Sequence, residues 1–306
     1  MKVFESIAAA SSGELASCAV CLGNFDGVHL GHQALFAQAK GANTGMVTAL
    51  TFSPHPGKVL QPALAPMLIN EQARKLELLD EAGVGAAIMQ PFTLEYAKVT
   101  PQQFEHSLFA GLGAKAVVIG ADFTYGTKRS GTLETLRAAA AVAGAQVFVV
   151  PPVTVDGVVV SSSKIREYVL EGRVEAAARL LGRPFDLDGV VVRGAGRGRT
   201  IGFPTANIET RNELRPAPGV YAVRVKTGDG WHGGAANIGV KPTFGGTEVT
   251  IEAHLFDFAK DLYNQRLRVQ FLERLRAEQR FASVTELAGQ IARDLESARA
   301  ALARAG

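Results

Sequence analysis

From residue 18 to residue 150 the sequence alternates short apolar runs with amphipathic stretches, and beyond residue 181 that alternation stops. Few architectures accept such a pattern. The runs at 18–22, 46–52, 86–89, 116–119 and 146–150 are apolar nearly throughout, as strands covered on both faces must be. Between them, 30–40, 71–81, 101–110 and 132–143 carry the helical period. This βαβα order predicts an α/β domain, a parallel sheet with helices on both sides, which binds ligands at the carboxyl ends of its strands. Two more helices are expected at 161–172 and 174–181. From residue 189 the runs turn short and β-rich, at 189–193, 220–226, 231–238, 249–255 and 267–272, split by Gly and Pro turns. That half predicts an antiparallel barrel or sandwich. A terminal helix is expected from Ser283, where Glu286 completes a capping box and Val284, Leu287, Ile291 and Leu295 form an apolar stripe against the barrel.

A chain of 306 residues is about twice an ordinary domain, so two domains are expected, 1–182 and 183–306. With 47% hydrophobic and 20% charged residues, disorder and coiled coil are excluded. No apolar stretch reaches the roughly 18 residues a membrane span needs. The N-terminal Ala run is flanked by Glu5 and Glu14 and does not read as a secretory segment, so a cytoplasmic location is expected, without a membrane partner. The 32 basic and 29 acidic residues are too evenly matched for a general nucleic-acid binder, while local phosphate sites and weak self-association remain compatible with the composition. Cys18 and Cys21 invite a zinc reading with His29 and His32. It fails on spacing, because strand residues three apart point to opposite faces, and both cysteines are expected to pack.

Directly after the first predicted strand comes GNFDGVHLGHQ, residues 23–33. Gly23 and Gly27 allow a tight path, and His29, Gly31 and His32 fall where a helix begins, with its unpaired N–H groups facing outward. Two imidazoles there suit a triphosphate, and Gly31 allows close approach to the backbone. An isolated H-x-G-H string is weak evidence, but this one stands at a strand-to-helix turn. SSSKIR, residues 161–166, puts hydroxyls at a helix start with Arg166 one turn on, an anion site or equally an N-cap with a surface ion pair.

The string 23–33, followed by TFSPHP (51–56), GADFTYG (120–126) and SSSKIR, resembles the bacterial bifunctional riboflavin kinase/FMN adenylyltransferase family, the prokaryotic FAD synthetases. The resemblance implies a Rossmann-like nucleotidyltransferase domain in which Gly23, Asn24, Phe25, Gly31, Ser162, Ser163 and Arg166 serve ATP and its phosphates. It further implies that His29 and His32 stabilise the transferring phosphoryl group and that His55, Asp122 and Phe123 lie at the flavin. Ser163, Ser53 and Tyr125 depart from the family's common Thr, Asp and Phe.

The second half opens with RGAGRGRTIGFPTAN, residues 193–207. Its spacing is not the dinucleotide G-x-G-x-x-G, Pro204 precludes a following helix, and the chain has no P-loop string. What remains is a Gly-rich flap with Gly196, Arg197 and Arg199 for phosphate, then the oxygen-bearing Thr205 and Asn207, which suit Mg²⁺. Read on its own, the segment is better taken as a basic turn closed by a Pro-initiated bend. It is similar to the PTAN motif of riboflavin kinases, and NIGVKPTF (237–244) and TIEAHLFDF with DLY (250–263) follow in order. Glu252 stands between apolar neighbours, so it is expected to be paired, metal-linked or catalytic, with a bridge to Arg224 or Lys226 as the structural alternative. By resemblance, Glu252 is the base for the ribityl hydroxyl. The resemblance therefore implies riboflavin, FMN and ATP as substrates, with Mg²⁺ as cofactor. A kinase with an inactive first domain and a non-catalytic flavin carrier remain the alternatives.

Overall fold

The computed structural model describes residues 1–306 apart from 11, 12, 14, 16, 195–201, 244, 245 and 306, and apart from the side chains of 241–243, 246–248 and 305. Two compact units make up the chain, Met1–Met67 with Gln72–Val160, and Leu68–Glu71 with Ser161–Gly306.

In the first unit, strands β1 (Lys2–Phe4), β2 (Ala19–Leu22), β3 (Val47–Ser53), β4 (Ala86–Pro91), β5 (Ala116–Gly120) and β6 (Gln146–Val150) form a parallel sheet in the order β1-β4-β3-β2-β5-β6. Helices α1 (Ile7–Ala10), α2 (Leu30–Gly41), α3 (Pro56–Leu60), α4 (Gln72–Glu81), α5 (Pro101–His106) and α6 (Leu133–Val142) connect them. The expected parallel sheet is observed. Strand β1 was not expected, because three residues carry no readable period and its pairing with β4 is long-range. Cys18, Val20 and Leu22 pack in one apolar cluster, and Ala19 and Cys21 in another. The cysteines thus divide between clusters, as the strand spacing requires, and both thiols are buried. From the central β2 the chain proceeds to β3 and β4 on one side, then returns to β5 and β6 on the other. The carboxyl ends of β2 and β5 therefore flank a topological switch point, where open α/β sheets form their ligand crevice.

The second unit contains α7 (Ser162–Leu170), α8 (Val174–Leu181) and a closed antiparallel barrel. Its strands are β9 (Phe185–Val192), β10 (Ala206–Glu209), β11 (Gly219–Thr227), β12 (Gly230–Thr243), β13 (Gly246–Leu255) and β14 (Arg266–Ala277), in the cyclic order β10-β13-β12-β11-β14-β9. Closure settles the choice between barrel and sandwich and removes free edges. Strand β9 begins four residues before the expected 189, and β10, next to Pro204, was not expected at all. The terminal helix α9 (Val284–Ala305) lays Ala298 and Ala301 against Ala222, Ala235 and Phe256. Small side chains allow helix and strands to approach closely, and Arg276 pairs with Asp294 at 2.8 Å. The expected stripe needs correcting at its start. Val284 is 64% exposed, and the buried positions on α9 begin only at Asp294. At the capping box, Ser283 Oγ accepts from the Glu286 N–H at 3.2 Å, while the Glu286 carboxylate accepts from the Ala282 N–H instead of that of Ser283.

Candidate active sites

The turn from β2 into α2 holds Phe25, Gly27 and Val28 at φ of 49°, 87° and 42°. For a β-branched residue such as Val28 that conformation costs on the order of 1–3 kcal/mol, so packing must impose it. His29 is the N-cap of α2, and its Nδ1 accepts from the backbone N–H of His32 at 3.3 Å. A neutral His29 therefore carries its proton on Nε2. The His29 and His32 rings stack with centroids 3.6 Å apart and planes inclined by 16°. Gly31 makes room for this, since a Cβ there would stand 3.1 Å from the His29 ring. The glycine thus serves the imidazole itself. Phe25 is fully buried with its ring edge-on to His32 at 5.2 Å, so the part of Phe25 in any phosphate site is confined to backbone and bracing. Among the described residues, His32 Nδ1 is buried without a hydrogen-bond partner. An orphaned ring nitrogen costs about 1–3 kcal/mol, a loss that a bound ligand can remove. Burial, then the neighbouring His29 and Lys75, push the His32 pKa well below its ordinary value. Near neutral pH His32 is an uncharged N–H donor.

Lys75, on α4, was absent from the sequence reading. Its Nζ lies 3.4 Å from Thr51 Oγ1 and 3.5 Å from the Asn24 carbonyl oxygen, and Thr51 Oγ1 donates to the same carbonyl at 2.9 Å. Burial lowers its pKa to about 8, against the opposing pull of Asp26. A signal was available: Leu78 and Leu79, three and four residues on, are buried, and residues so spaced share a helix face.

Further along the same sheet edge, Ser53 Oγ donates to Gln72 Oε1 at 2.9 Å, giving the departing serine a structural task. His55 N-caps α3 through Nδ1, 3.1 Å from the Gly57 N–H. Asp122, just past β5, is exposed, and Phe123 stacks on Tyr125 with centroids 5.8 Å apart. The Tyr125 hydroxyl donates to the buried Glu105 carboxylate at 2.5 Å and contacts Thr135 Oγ1 at 2.8 Å. Phe52, Phe92 and Tyr96 form a triangle of rings with centroids 5.4–5.9 Å apart, a further feature the sequence reading missed. A cavity of about 550 Å³ adjoins it, lined by Gln90, Pro91, Tyr96, Lys98, Val99 and Gln103 among others.

In the second unit, Ser161 is the N-cap of α7, accepting from the Lys164 N–H at 3.2 Å. Ser162 and the exposed Ser163 occupy the first helical positions, with Arg166 half-buried one turn on. On this turn Lys164 pairs with Glu167 at 2.6 Å.

Glu252 corrects the expectation drawn from its sequence neighbours. Ile251 and Ala253 are buried, but side chains alternate along a strand, and Glu252 lies half-buried on the opposite face. Its register partners are Asn207 on β10 and Asn237 on β12, so three polar side chains share one row across the barrel wall. Arg224 and Lys226 stand on β11, which does not pair with β13, and the bridging alternative loses its basis. His254, on the same face as Glu252, holds the Pro204 carbonyl through Nδ1 at 2.8 Å and so ties the PTAN segment to β13. Thr205 and Asn207 are half-buried. A Cβ on Gly194 would fall 2.2 Å from Asn207 Nδ2, so only glycine fits against that amide. Asn264, directly after DLY, adopts φ 61°, a left-handed turn conformation that asparagine tolerates. Gly196, Arg197 and Arg199 lie outside the described residues. Also among the described residues, no three His, Cys, Asp or Glu side chains gather as a metal-ligand group.

A family model described as FAD synthetase matches residues 11–164, and one described as riboflavin kinase matches residues 181–302. The bifunctional riboflavin kinase/FMN adenylyltransferase of Escherichia coli (strain K12) is 38% identical over 304 residues, covering 98% of this chain and 97% of that protein. Its Bacillus subtilis (strain 168) counterpart is 37% identical over 293 residues, with 93% and 92% covered. A solved structure described as a macrolide-efflux protein from Streptococcus pneumoniae is 33% identical and aligns with a TM-score of 0.88 over 98% of this chain and 99% of that one. Among the described residues, no helix is long and apolar enough to cross a membrane.

Proposed function

The chain belongs to the bifunctional riboflavin kinase/FMN adenylyltransferase family, and on that footing we propose which of its residues carry each reaction. The activities are the phosphorylation of riboflavin by ATP to give FMN, and the transfer of an adenylyl group from a second ATP to FMN to give FAD and pyrophosphate.

Adenylyl transfer is assigned to the β2–α2 turn. The FMN phosphate is already ionised near neutral pH, so its oxygen attacks the α-phosphorus without a base, and the pyrophosphate leaves with the bonding pair. What the protein must supply is alignment and donors toward the charge that develops. His29 and His32 offer ring N–H groups, and α2 offers its first backbone amides. Gly23, Asn24, Phe25 and Gly31 shape the turn, and His55, Asp122 and Phe123 are assigned to the flavin; Ser162, Ser163 and Arg166, at the start of α7, are assigned to ATP phosphates on the family resemblance alone. The observation that carries this reading is the stacked imidazole pair, whose buried Nδ1 on His32 lacks a partner among the described residues.

Riboflavin phosphorylation is assigned to the barrel. Here the nucleophile is an alcohol, which needs a base, and Glu252 is the carboxylate in the polar row. The neutral oxygens of Asn207, in register with Glu252, and of Thr205, two residues earlier, are the hard donors Mg²⁺ accepts, so this donor set fits the ion. Thr205 and Asn207 would hold Mg²⁺, which when bound supplies charge neutralisation to the ATP phosphates. Gly196, Arg197 and Arg199 are assigned to phosphate, and the chain to the cytoplasm. No membrane or nucleic-acid partner enters the proposal.

Supplying riboflavin, ATP and Mg²⁺ and separating the products tests this division. His29→Ala with His32→Ala should abolish FAD while FMN accumulates, and Glu252→Ala should abolish FMN formation yet convert supplied FMN to FAD. Equal loss of both activities from either change, in folded protein, overturns the assignment.

A further inference from the structure

The geometry points to Lys75 as a phosphate-binding residue of the adenylyl-transfer site, acting on ATP beside His29 and His32. This rests on the assignment of that reaction to the β2–α2 turn and extends it to a different element, α4.

Three observations lead there. First, the ammonium is anchored at the crevice edge of the sheet. Its hydrogen bonds run to Thr51 near the end of β3 and to the Asn24 carbonyl just past β2, and Gln72, one turn earlier on α4, is tied to Ser53 at the end of β3. Second, both contacts of Nζ are long, at 3.4 and 3.5 Å, and go to neutral oxygens. An ammonium has three donors, so these leave one unused among the described residues, with no carboxylate in ion-pair contact. A half-buried lysine so held gives up hydration and, beyond the pull of the Asp26 carboxylate, which does not offset its burial, receives little in return. Third, Lys75 is one of the neighbours whose charge acts on His32, whose own ring nitrogen is orphaned. Two adjacent cationic or donor groups, both short of partners, are what a polyanion would satisfy together. The lowered pKa of Lys75 expresses the same deficit, and a phosphate brought alongside would restore the protonated form.

Chemically, His32 near neutral pH contributes an N–H dipole, whereas protonated Lys75 contributes a full charge. Transfer forms a bond from the FMN phosphate oxygen to the α-phosphorus and breaks the bond to the pyrophosphate oxygen, so negative charge moves onto the leaving group. A fixed ammonium favours that shift in a partly desolvated site, where removal of a single such stabilising group costs about 100-fold in rate.

The test compares Lys75→Met and Lys75→Arg with wild type, measuring kcat and KM for ATP in FAD formation from supplied FMN, and riboflavin phosphorylation in the same preparations. The expected result is a loss of about 100-fold in kcat/KM for FAD formation with Met, recovery to within about tenfold of wild type with Arg, and an unchanged kinase reaction. If Lys75→Met keeps FAD formation within about threefold of wild type, or if both activities fall together, the proposal is overturned. The His29→Ala, His32→Ala double variant runs alongside. If it abolishes FAD formation while Lys75→Met does not, only the role of Lys75 fails, and if it retains FAD formation the site assignment itself fails.

Discussion

Substituting Gly194 by alanine should damage one of the two reactions through a single added methyl group. The left-handed backbone that demands glycine elsewhere is not the issue here. The obstacle is steric, because the new Cβ would lie 2.2 Å from Nδ2, 2.4 Å from Cγ and 2.6 Å from Oδ1 of Asn207. Ordinary carbon contacts lie at about 3.5–4.0 Å, so the amide must retreat by roughly 1 Å or more. Asn207 is half-buried, and its amide can swing away without disturbing the inward-facing Ile208. Stability should therefore fall by less than about 1 kcal/mol, below the usual cost of overpacking a core. Catalysis should respond far more, since a displacement of about 1 Å in a positioning group costs on the order of 100-fold. The assay is riboflavin phosphorylation at saturating Mg²⁺ against FAD formation from supplied FMN, with the urea midpoint as the check on folding. We expect kcat/KM for the first to drop about 100-fold and the second to stay within about twofold. A folded variant that phosphorylates riboflavin at the wild-type rate would refute both the crowding argument and the proposed role of Asn207.

Two stability predictions follow from buried polar contacts. Tyr125→Phe removes the one hydroxyl that donates to the buried Glu105 carboxylate among the described residues, and should cost about 1.5–3 kcal/mol in urea unfolding. An unchanged midpoint would mean that the carboxylate does not depend on that hydroxyl. Asp188 accepts from Arg268 at 2.7 and 2.9 Å and from Arg266 at 2.8 Å. Burial pushes its pKa up, but Arg268 and Arg266 more than reverse this and leave it below the usual carboxylate range. Asp188→Asn should therefore cost about 3–5 kcal/mol at neutral pH. Because the folded pKa is depressed, that stability is fully present above the unfolded value of about 3.9 and is lost as pH falls through the lower folded value. Urea midpoints of wild type and variant should converge in acid, and a gap that persists or widens there would contradict the ion pair's role.

The sequence disclosed most where interactions are local. An apolar run between turn signals is a strand whatever it pairs with, so 146–150 matches β6 residue for residue, and the helix following Val28 begins where His29 sits as its cap. Failures occurred where a position takes its meaning from distant residues. Helical spacing puts Lys75 on the face of Leu78 and Leu79, but the oxygens it meets, on Thr51 and Asn24, come from β3 and from just past β2, far away in sequence. Glu252 sits between Ile251 and Ala253 in sequence but is separated from them by the pleat. Strand β10 is four residues long, and its identity depends on pairing with β9 and β13. Val284 continues the helical period yet is exposed, because periodicity gives a face and does not say how far along the helix a partner extends.

This difference in legibility corresponds to a difference in the chemistry assigned to each half. Adenylyl transfer starts from a nucleophile that is already ionised, so its catalyst needs donors, and a strand-to-helix turn gathers donors within about one helical turn of sequence. An alcohol must lose a proton as it attacks, so the kinase half needs a carboxylate close to the hard oxygens that hold a cation but not consumed by them. No short local segment fixes those groups at the required separation, whereas a sheet does so by register. Asn207 and Glu252 are paired across β10 and β13, and Asn237 completes the row from β12. A shift of one residue in either pairing would turn Glu252 toward the opposite face from Asn207 and Asn237. Closing the barrel helps to hold that register, because each strand, including the short β10, is paired on both sides.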